Sequence, residues 1–130
     1  MDNNSKENSI EAIPENSQGN VGMNFDEYQA AADKTAIYPE AEAIEYLVLG
    51  LASEAGEVAG KLKKIIRDYD GSVGVHEKSV LAAELGDVLW YVAMLALELD
   101  VPLSKLAADN ISKLESRRVR GVLGGSGDNR

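Results

Sequence analysis

The chain has 130 residues, a length that suits a single domain. It has no cysteine and one histidine, which excludes disulfides, thiolate zinc sites and most histidine-rich metal centres. The formal net charge is −9, and most basic residues lie close to acids along the chain, which argues against binding to duplex nucleic acid.

The N-terminal segment differs from the rest of the chain. Residues 1–23 are rich in Asn, Ser and Glu and lack apolar periodicity, which predicts a disordered tail. They also lack the apolar core of a signal peptide. The longest apolar run, 88–97, is about half of the ~20 residues that a membrane span requires. We therefore expect a cytoplasmic protein that does not engage a membrane.

Two helices are predicted in the first half of the folded region. The spacing Asn24-x-x-Glu27 is a capping box, and it opens a short helix that ends before Pro39. Pro39 suits the first turn of a second helix, which continues to about residue 67. The apolar residues of this helix recur at helical spacing, at Leu47, Leu51, Ala55, Val58, Leu62, Ile65 and Tyr69.

Two further helices follow. Turn chemistry marks 70–74 as a connector, after which a third helix is predicted over 76–99 and a fourth over 102–118. The glycine-rich residues 121–130 read as a C-terminal tail. Strand patterns are missing, so we predict an all-α domain over 24–120, a bundle of one short and three longer helices.

The third helix predicts an oligomer. Residues 88–97 carry no charge, and Trp90 and Leu97 point away from the face that holds Leu85 and Val88. A helix that is apolar on all sides must be buried on all sides, and so small a bundle rarely surrounds one helix. We expect a second subunit to cover it; the alternative is a well-covered central helix in a monomer.

One segment occurs twice, at 51–58 and 81–88, and each copy has two acids three residues apart with a glycine between them. On a helix, acids at this spacing share one face, and here that face is one flank of the apolar stripe, shared with Lys61 on the second helix and with Tyr91 on the third. Antiparallel packing of the two helices through their stripes would bring the four carboxylates together. Mid-helix glycine costs ~1 kcal/mol relative to alanine, which indicates a close approach by a backbone or a ligand. The residues concerned are Glu54, Gly56, Glu57, Glu84, Gly86 and Asp87.

Four carboxylates in one small volume repel one another unless a cation lies among them. Ligands that are all oxygen favour Mg²⁺ or Mn²⁺ over zinc. The alternative is a solvated acidic face on an amphipathic helix. On the fourth helix, Asn110, Lys113 and Arg117 fall on one flank and suit a phosphate chain, with ordinary salt bridging as the alternative.

In this order and spacing the motifs resemble the MazG-like nucleoside triphosphate pyrophosphohydrolases, whose pattern is E-x-x-E, a spacer of variable length and E-x-x-D. Here the pattern is Glu54-x-x-Glu57, 26 intervening residues and Glu84-x-x-Asp87. The resemblance covers about residues 25–130 and is closest to short single-domain members, including phage-borne ones. One difference is Ser53, which stands where many members have a further glutamate.

The resemblance implies an all-α pyrophosphatase fold, assembly as a homodimer or homotetramer, and Mg²⁺ dependence with Mn²⁺ as a substitute. The implied reaction is hydrolysis of an NTP or dNTP to the monophosphate and pyrophosphate. It implies that Glu54, Glu57, Glu84 and Asp87 hold the metal, and that Glu54 or Glu57 orients or deprotonates a metal-bound water.

Substrate contacts follow from the same resemblance. Lys113 and Arg117 would hold phosphate oxygens, Asn110 phosphate or sugar, and Lys61 would contact phosphate or merely neutralise the acids. Tyr91 falls on the acidic flank, and Phe25, Tyr28 and Gln29 on the first helix are further candidates for a base pocket.

Two alternatives to this function come from other classes of protein. One is a non-catalytic helical dimerisation or interaction protein with an acidic surface. The other is a di-iron carboxylate bundle, which the missing Glu-x-x-His pairs disfavour.

Overall fold

The computed structural model describes residues 22–126, and this part of the chain contains four α-helices and no strand. The predicted all-α class is confirmed. Residues 1–21 and 127–130, to which most of the predicted N-terminal tail and the end of the C-terminal tail belong, lie outside the described residues. The helices are α1 (Phe25–Asp33), α2 (Ala43–Tyr69), α3 (Val75–Glu98) and α4 (Leu103–Val119).

The predicted capping box is present at the start of α1. The Asn24 side chain accepts hydrogen bonds from the amides of Asp26 and Glu27, and the Glu27 carboxylate accepts one from the Asn24 amide. The start of α2 differs from the prediction. Pro39 has an extended ψ of 128°, and the chain makes one turn of 3-10 helix at Glu40–Glu42 before α2 begins.

Helices α2 and α3 form an antiparallel hairpin. Asp70 and Gly71 adopt left-handed φ angles of 51° and 74°, which ends α2 and turns the chain towards α3. Helix α2 packs chiefly against α3, and α1 packs against α3 and α4. Among the described elements α4 makes no contact with α2. Helix α3 is therefore central in the bundle, and one hairpin carries both acid pairs.

Gln29 of α1 connects the segments around the junction of α3 and α4. The buried Gln29 amide donates to the carbonyl oxygens of Ala93 and Val101, each at 3.1 Å, and its Oε1 accepts from the Leu103 amide at 3.1 Å. One side chain thus joins the C-terminal half of α3, the connector that follows it and the start of α4. All three bonds are made to the backbone, which fixes the positions of these segments.

The first turn of α1 also caps α4. The Asp26 carboxylate accepts hydrogen bonds from the Ser104 amide at 2.9 Å and the Ser104 hydroxyl at 2.6 Å. Pro102, at the N-cap of α4, provides no side-chain cap of its own. Asp26 therefore satisfies an N-terminal amide of α4 from another helix. These hydrogen bonds lower the pKa of the Asp26 carboxyl.

The hydrophobic core is small. Leu47 and Met94 are its largest fully buried side chains, and alanines from α1 and α3 fill the space around them. Trp90 packs against this core, and its indole N–H donates to the Thr35 hydroxyl at 2.8 Å. The other side of α3 is open, because Leu85 is 56 % exposed. The predicted subunit contact on this helix therefore stays a prediction.

By length and composition α3 could cross a membrane. However, it carries Glu84 and Asp87 in its middle, where charged groups are costly in lipid. It also packs against three other helices. These features are typical of the core helix of a helical bundle.

Candidate active site

Three carboxylates meet where α2 and α3 pack together. One oxygen from each of Glu54, Glu84 and Asp87 lies within 4.8 Å of the others. Glu54 comes from α2, and the other two come from α3. Glu54 and Glu84 are half-buried and Asp87 is exposed, so the cluster lies at the edge of the helix interface and is open to solvent on one side.

The fourth predicted acid lies beside this cluster. Glu57 is exposed, one turn after Glu54 on α2. Burial raises the pKa of the Glu54 carboxyl, and the negative charges of Glu57, Asp87 and Glu84 raise it further, with Glu57 having the largest effect of the three. Glu54 therefore lies within electrostatic reach of the three other acids.

The two repeated segments also share their environment. Over residues 51–60 and 81–90 the succession of half-buried and exposed positions is identical. The contact face is rotated relative to the predicted apolar stripe, because Glu54 and Lys61 are half-buried whereas Ala55 and Leu62 are exposed. The prediction that the acids flank the helix contact was therefore wrong in detail, since Glu54 and Glu84 lie within it.

The repeated glycines have a different setting from the one expected. A Cβ atom built at Gly56 or Gly86 would meet no atom within 4 Å. Of the two predicted close approaches, by a backbone or by a ligand, the described part of the chain does not show the first, and the second stays a prediction. Both glycines, which lie between the two acids of each pair, are exposed. No other described helix covers the hairpin at these positions.

Lys61 contacts the carboxylate cluster directly. Its ammonium nitrogen lies 3.5 Å from Oε1 of Glu84, whose side chain is only 14 % exposed. Of the two roles predicted for Lys61, neutralisation of an acid is the one that this contact displays. The ammonium is also close enough to the cluster to meet an anion bound there.

Gly50 is the site glycine that sequence reasoning missed. A Cβ at this position would lie 2.0 Å from Cε1 of Tyr91, so the ring can occupy its place only because Gly50 has no side chain. The antiparallel register supplies a partial signal: the offset that pairs Lys61 with Glu84 sets Tyr91 opposite Glu54, one helical turn from Gly50.

Tyr91 lies between the carboxylates and an aromatic group. Its ring meets Trp90 edge-on with centroids 5.0 Å apart, and Tyr46 lies beside it in the lining of the same pocket. Burial raises the pKa of Tyr91, and Tyr46, Glu54 and Asp87 raise it further. The structure thus places Tyr91 next to the acids, as the flank prediction requires.

The predicted phosphate contacts of α4 lie apart from the carboxylates. Asn110 and Lys113 are exposed and line a shallow depression with Val101, Leu106 and Asp109. Arg117, which was predicted to share their flank, is buried near the end of the helix. No Cα atom of α4 lies within 8 Å of one in α2, so α4 does not pack against the helix that carries Glu54, and the predicted substrate contacts of these three residues stay predictions.

The candidate base contacts on α1 have different surroundings. Phe25 is exposed, and Gln29 is committed to its three backbone hydrogen bonds. Tyr28 packs against the core, where burial raises the pKa of its hydroxyl and the charge of Asp87 raises it further. Of these three residues, only Tyr28 is thus close enough to sense the acidic cluster.

The sequence matches one described family. The model of the MazG nucleotide pyrophosphohydrolase domain matches residues 42–121, more than half of the chain. The chain is also 54 % identical over 114 residues to the Gene 37 protein of Mycobacterium phage L5, which covers 83 % of this chain and all of that protein. No solved structure matches it. The chain therefore belongs to the MazG nucleotide pyrophosphohydrolase family.

Proposed function

We propose that the protein hydrolyses a nucleoside triphosphate, NTP or dNTP, to the nucleoside monophosphate and pyrophosphate. One observation supports this above the others. In a chain of the MazG family, the acids of both halves of the repeat meet across the hairpin, with three carboxylate oxygens within 4.8 Å of one another. A cluster of this charge suits an anionic substrate only when cations lie between the two.

The residues fit a divalent cation. The ligand atoms are all carboxylate oxygens, and the described part of the site contains neither thiol nor imidazole. This donor set favours Mg²⁺, with Mn²⁺ as a substitute. Glu54, Glu84 and Asp87 would hold the cation, and Glu57 would complete the set. When bound, the cation supplies the positive charge that neutralises phosphate oxygens.

The side chains of the site have separate roles in this proposal. Glu54 is half-buried and its pKa is raised, which suits it to accept a proton from the attacking water, with Glu57 as the adjacent acid. Lys61 offers its ammonium group to a phosphate oxygen from its place beside Glu84. Tyr91 borders the same acids and is available to the nucleoside.

We further propose that the active species is a homodimer or homotetramer. Leu85 and Leu89 on α3, and Ile111 and Leu114 on α4, are large apolar side chains that the described chain leaves exposed. Apolar area of this kind is normally covered in a soluble assembly. In such an assembly Asn110, Lys113 and Arg117 of α4 would contact the phosphates or the sugar of the nucleotide. We place the protein in the cytoplasm, away from membranes and nucleic acid.

The test is release of pyrophosphate from each common NTP and dNTP in the presence of Mg²⁺. We expect at least one nucleotide to be hydrolysed, and Glu84→Gln to lower the rate by about a hundredfold or more, because loss of a ligand weakens charge stabilisation. Glu45→Gln, an exposed acid on the same helix as Glu54, is the matched control and should keep full activity.

Two outcomes would contradict this proposal. If no nucleotide is hydrolysed, the non-catalytic helical interaction protein becomes the better reading. Full activity in Glu84→Gln would show that hydrolysis does not depend on the carboxylate cluster. The oligomer is tested by sedimentation at micromolar concentration, where a monomer would count against it.

A further inference from the structure

Beside the carboxylates the hairpin forms an aromatic cup of about 330 Å³. Glu54 belongs to both the cup and the carboxylate cluster, so the two are continuous. The cup is large enough for a nucleobase. Its lining is Tyr46, Leu49, Gly50, Ser53, Glu54 and Tyr91.

The wall of the cup is held in place by packing. Tyr91 lies against the bare backbone of Gly50, where a Cβ would come within 2.0 Å of its ring. Its ring also meets Trp90 edge-on, and Tyr46 lies beside it in the lining of the cup. Tyr46 stacks on Tyr38 with centroids 6.0 Å apart, yet it remains 45 % exposed. Because these side chains are already ordered by packing, little conformational entropy is lost when a ligand binds.

The chemistry of the lining favours an uncharged aromatic ligand. Tyrosine rings stack on heteroaromatic rings, and the hydroxyls of Tyr46, Ser53 and Tyr91 can each donate or accept a hydrogen bond. No lysine or arginine lines the cup, and the carboxylate of Glu54 repels phosphate. The cup therefore suits a base, not a phosphate group.

Lysine side chains lie further along α2, past the carboxylates. Lys61 and Lys64 line a smaller cavity there, together with Ile65, Tyr69, His76, Glu77 and Val80. At 1.5 Å per residue, Gly50 and Lys64 are about 20 Å apart along α2. Along this helix the aromatic cup, the carboxylates and the two lysines therefore succeed one another in the order of base, metal-bound phosphates and terminal phosphate in a nucleotide.

We propose that the nucleobase of the substrate binds in the aromatic cup, with Tyr46 and Tyr91 as base-contacting residues and Gly50 as the residue that positions Tyr91. The phosphates then extend from Glu54 towards Lys61. This inference rests on the proposed function for the identity of the ligand, but the cup can be tested without catalysis.

Trp90 provides the readout. It is the only tryptophan in the chain, and its ring lies 5.0 Å from that of Tyr91, so a base in the cup should change its fluorescence. The protein is titrated, in EDTA, with phosphate-free ribo- and deoxyribonucleosides, and separately with inorganic triphosphate. We expect at least one nucleoside to give a saturable change and inorganic triphosphate to give none.

Variants locate the signal. Tyr46→Leu should weaken nucleoside binding about tenfold or more, as expected for loss of base–aromatic stacking. Gly50→Ala should weaken it too, because the new methyl group displaces Tyr91. Ile66→Ala is the control, an exposed residue on the same helix that lines neither cavity, and it should bind nucleosides like the wild type.

Activity separates the two proposals. If the wild type hydrolyses nucleotides, Tyr46→Leu should raise KM about tenfold or more with a smaller change in kcat. An unchanged KM for every nucleotide, or nucleoside affinity unchanged in Tyr46→Leu, would overturn the cup while the proposed reaction stands. Nucleoside binding by a wild type that hydrolyses nothing would instead keep the cup and overturn the reaction.

Discussion

Lys61 on α2 and Glu84 on α3 form an ion pair across the hairpin, with 3.5 Å between the ammonium nitrogen and the carboxylate oxygen. The pair brings a positive charge to a place where four acids repel one another. Removing Lys61 should therefore cost an amount in the upper part of the range for surface pairs, because Glu84 is mostly buried and loses its counter-charge.

Lys61→Met keeps most of the aliphatic chain and removes the charge. We expect it to lower the free energy of unfolding by about 0.5–1 kcal/mol in EDTA, and Mg²⁺ to restore most of the loss. Urea titrations with and without Mg²⁺ measure both quantities. Lys63→Met, at an exposed position on the same helix, is the control. Equal losses in the two variants would show that Lys61 does not interact with the cluster in solution.

Glu54→Gln should have opposite effects with and without metal. The pKa of Glu54 is raised above its usual 4.5, so the folded state binds the proton more tightly than the unfolded state does. Stability is therefore lost as pH rises through the raised pKa. The Glu54→Gln variant does not lose it, because the glutamine amide does not ionise. At pH 7 in EDTA the variant should melt a few degrees above the wild type, and the difference should vanish near pH 4.

With Mg²⁺ at pH 7 the order should reverse, since binding of the cation stabilises only a chain that has its full set of carboxylates. Differential scanning calorimetry in EDTA and in Mg²⁺ provides both comparisons. A lower melting temperature for Glu54→Gln in EDTA at pH 7 would mean that carboxylate repulsion does not limit stability.

Gln29→Leu preserves the approximate size of the side chain and removes its three hydrogen bonds. The Leu103 amide and the carbonyls of Ala93 and Val101 lose a partner in a buried place. We expect a loss of about 2–4 kcal/mol in the free energy of unfolding, measured in urea. Lys34→Leu introduces the same residue at the exposed end of α1 and should change stability little. Near-wild-type stability in Gln29→Leu would contradict the bridging role.

Asp26→Asn tests the cap on α4 through pH. Hydrogen bonds from Ser104 lower the pKa of Asp26 from its usual 3.8 in the folded state. The stabilisation is therefore complete well above pH 3.8 and is lost as pH falls through the lowered pKa. The wild type should be more stable than the variant at pH 7, and the gap in urea midpoint should close as the pH falls below 3. Asp33→Asn, on the same helix but outside this cap, is the control. Its difference in urea midpoint from the wild type should not follow the pH dependence expected for Asp26→Asn.

Much of the helical framework could be predicted from local chemistry. The capping box at Asn24, the breaks at Asp70 and Pro102, and apolar periodicity are local signals, and the structure places helices where they predict. The start of α2 was placed too early. The φ angle of proline suits the first turn of an α-helix, and it equally suits the extended residue that comes before the 3-10 turn here. The identity of Pro39 therefore does not decide between the two.

The contact face of the hairpin was harder to predict. A hydrophobic stripe assigns Glu54 and Lys61 to its flank, because it treats a charged side chain as exposed. Long charged side chains can bury their stems while their ends meet a partner, as Lys61 and Glu84 do. Two further features depend on how the helices pack against one another: the contact of Tyr91 with Gly50, and the lack of packing between α4 and α2. The angular positions of residues around a single helix carry no information about such packing.

Both halves of the carboxylate cluster belong to a hairpin closed by the short turn at Asp70 and Gly71. Contacts between neighbours in sequence form faster than those that close long loops. The step that pairs α2 with α3 is therefore also the step that forces the four acids together, before α1 and α4 need to dock. Since salt screens such repulsion, ionic strength should control the folding rate of this protein as well as its final stability.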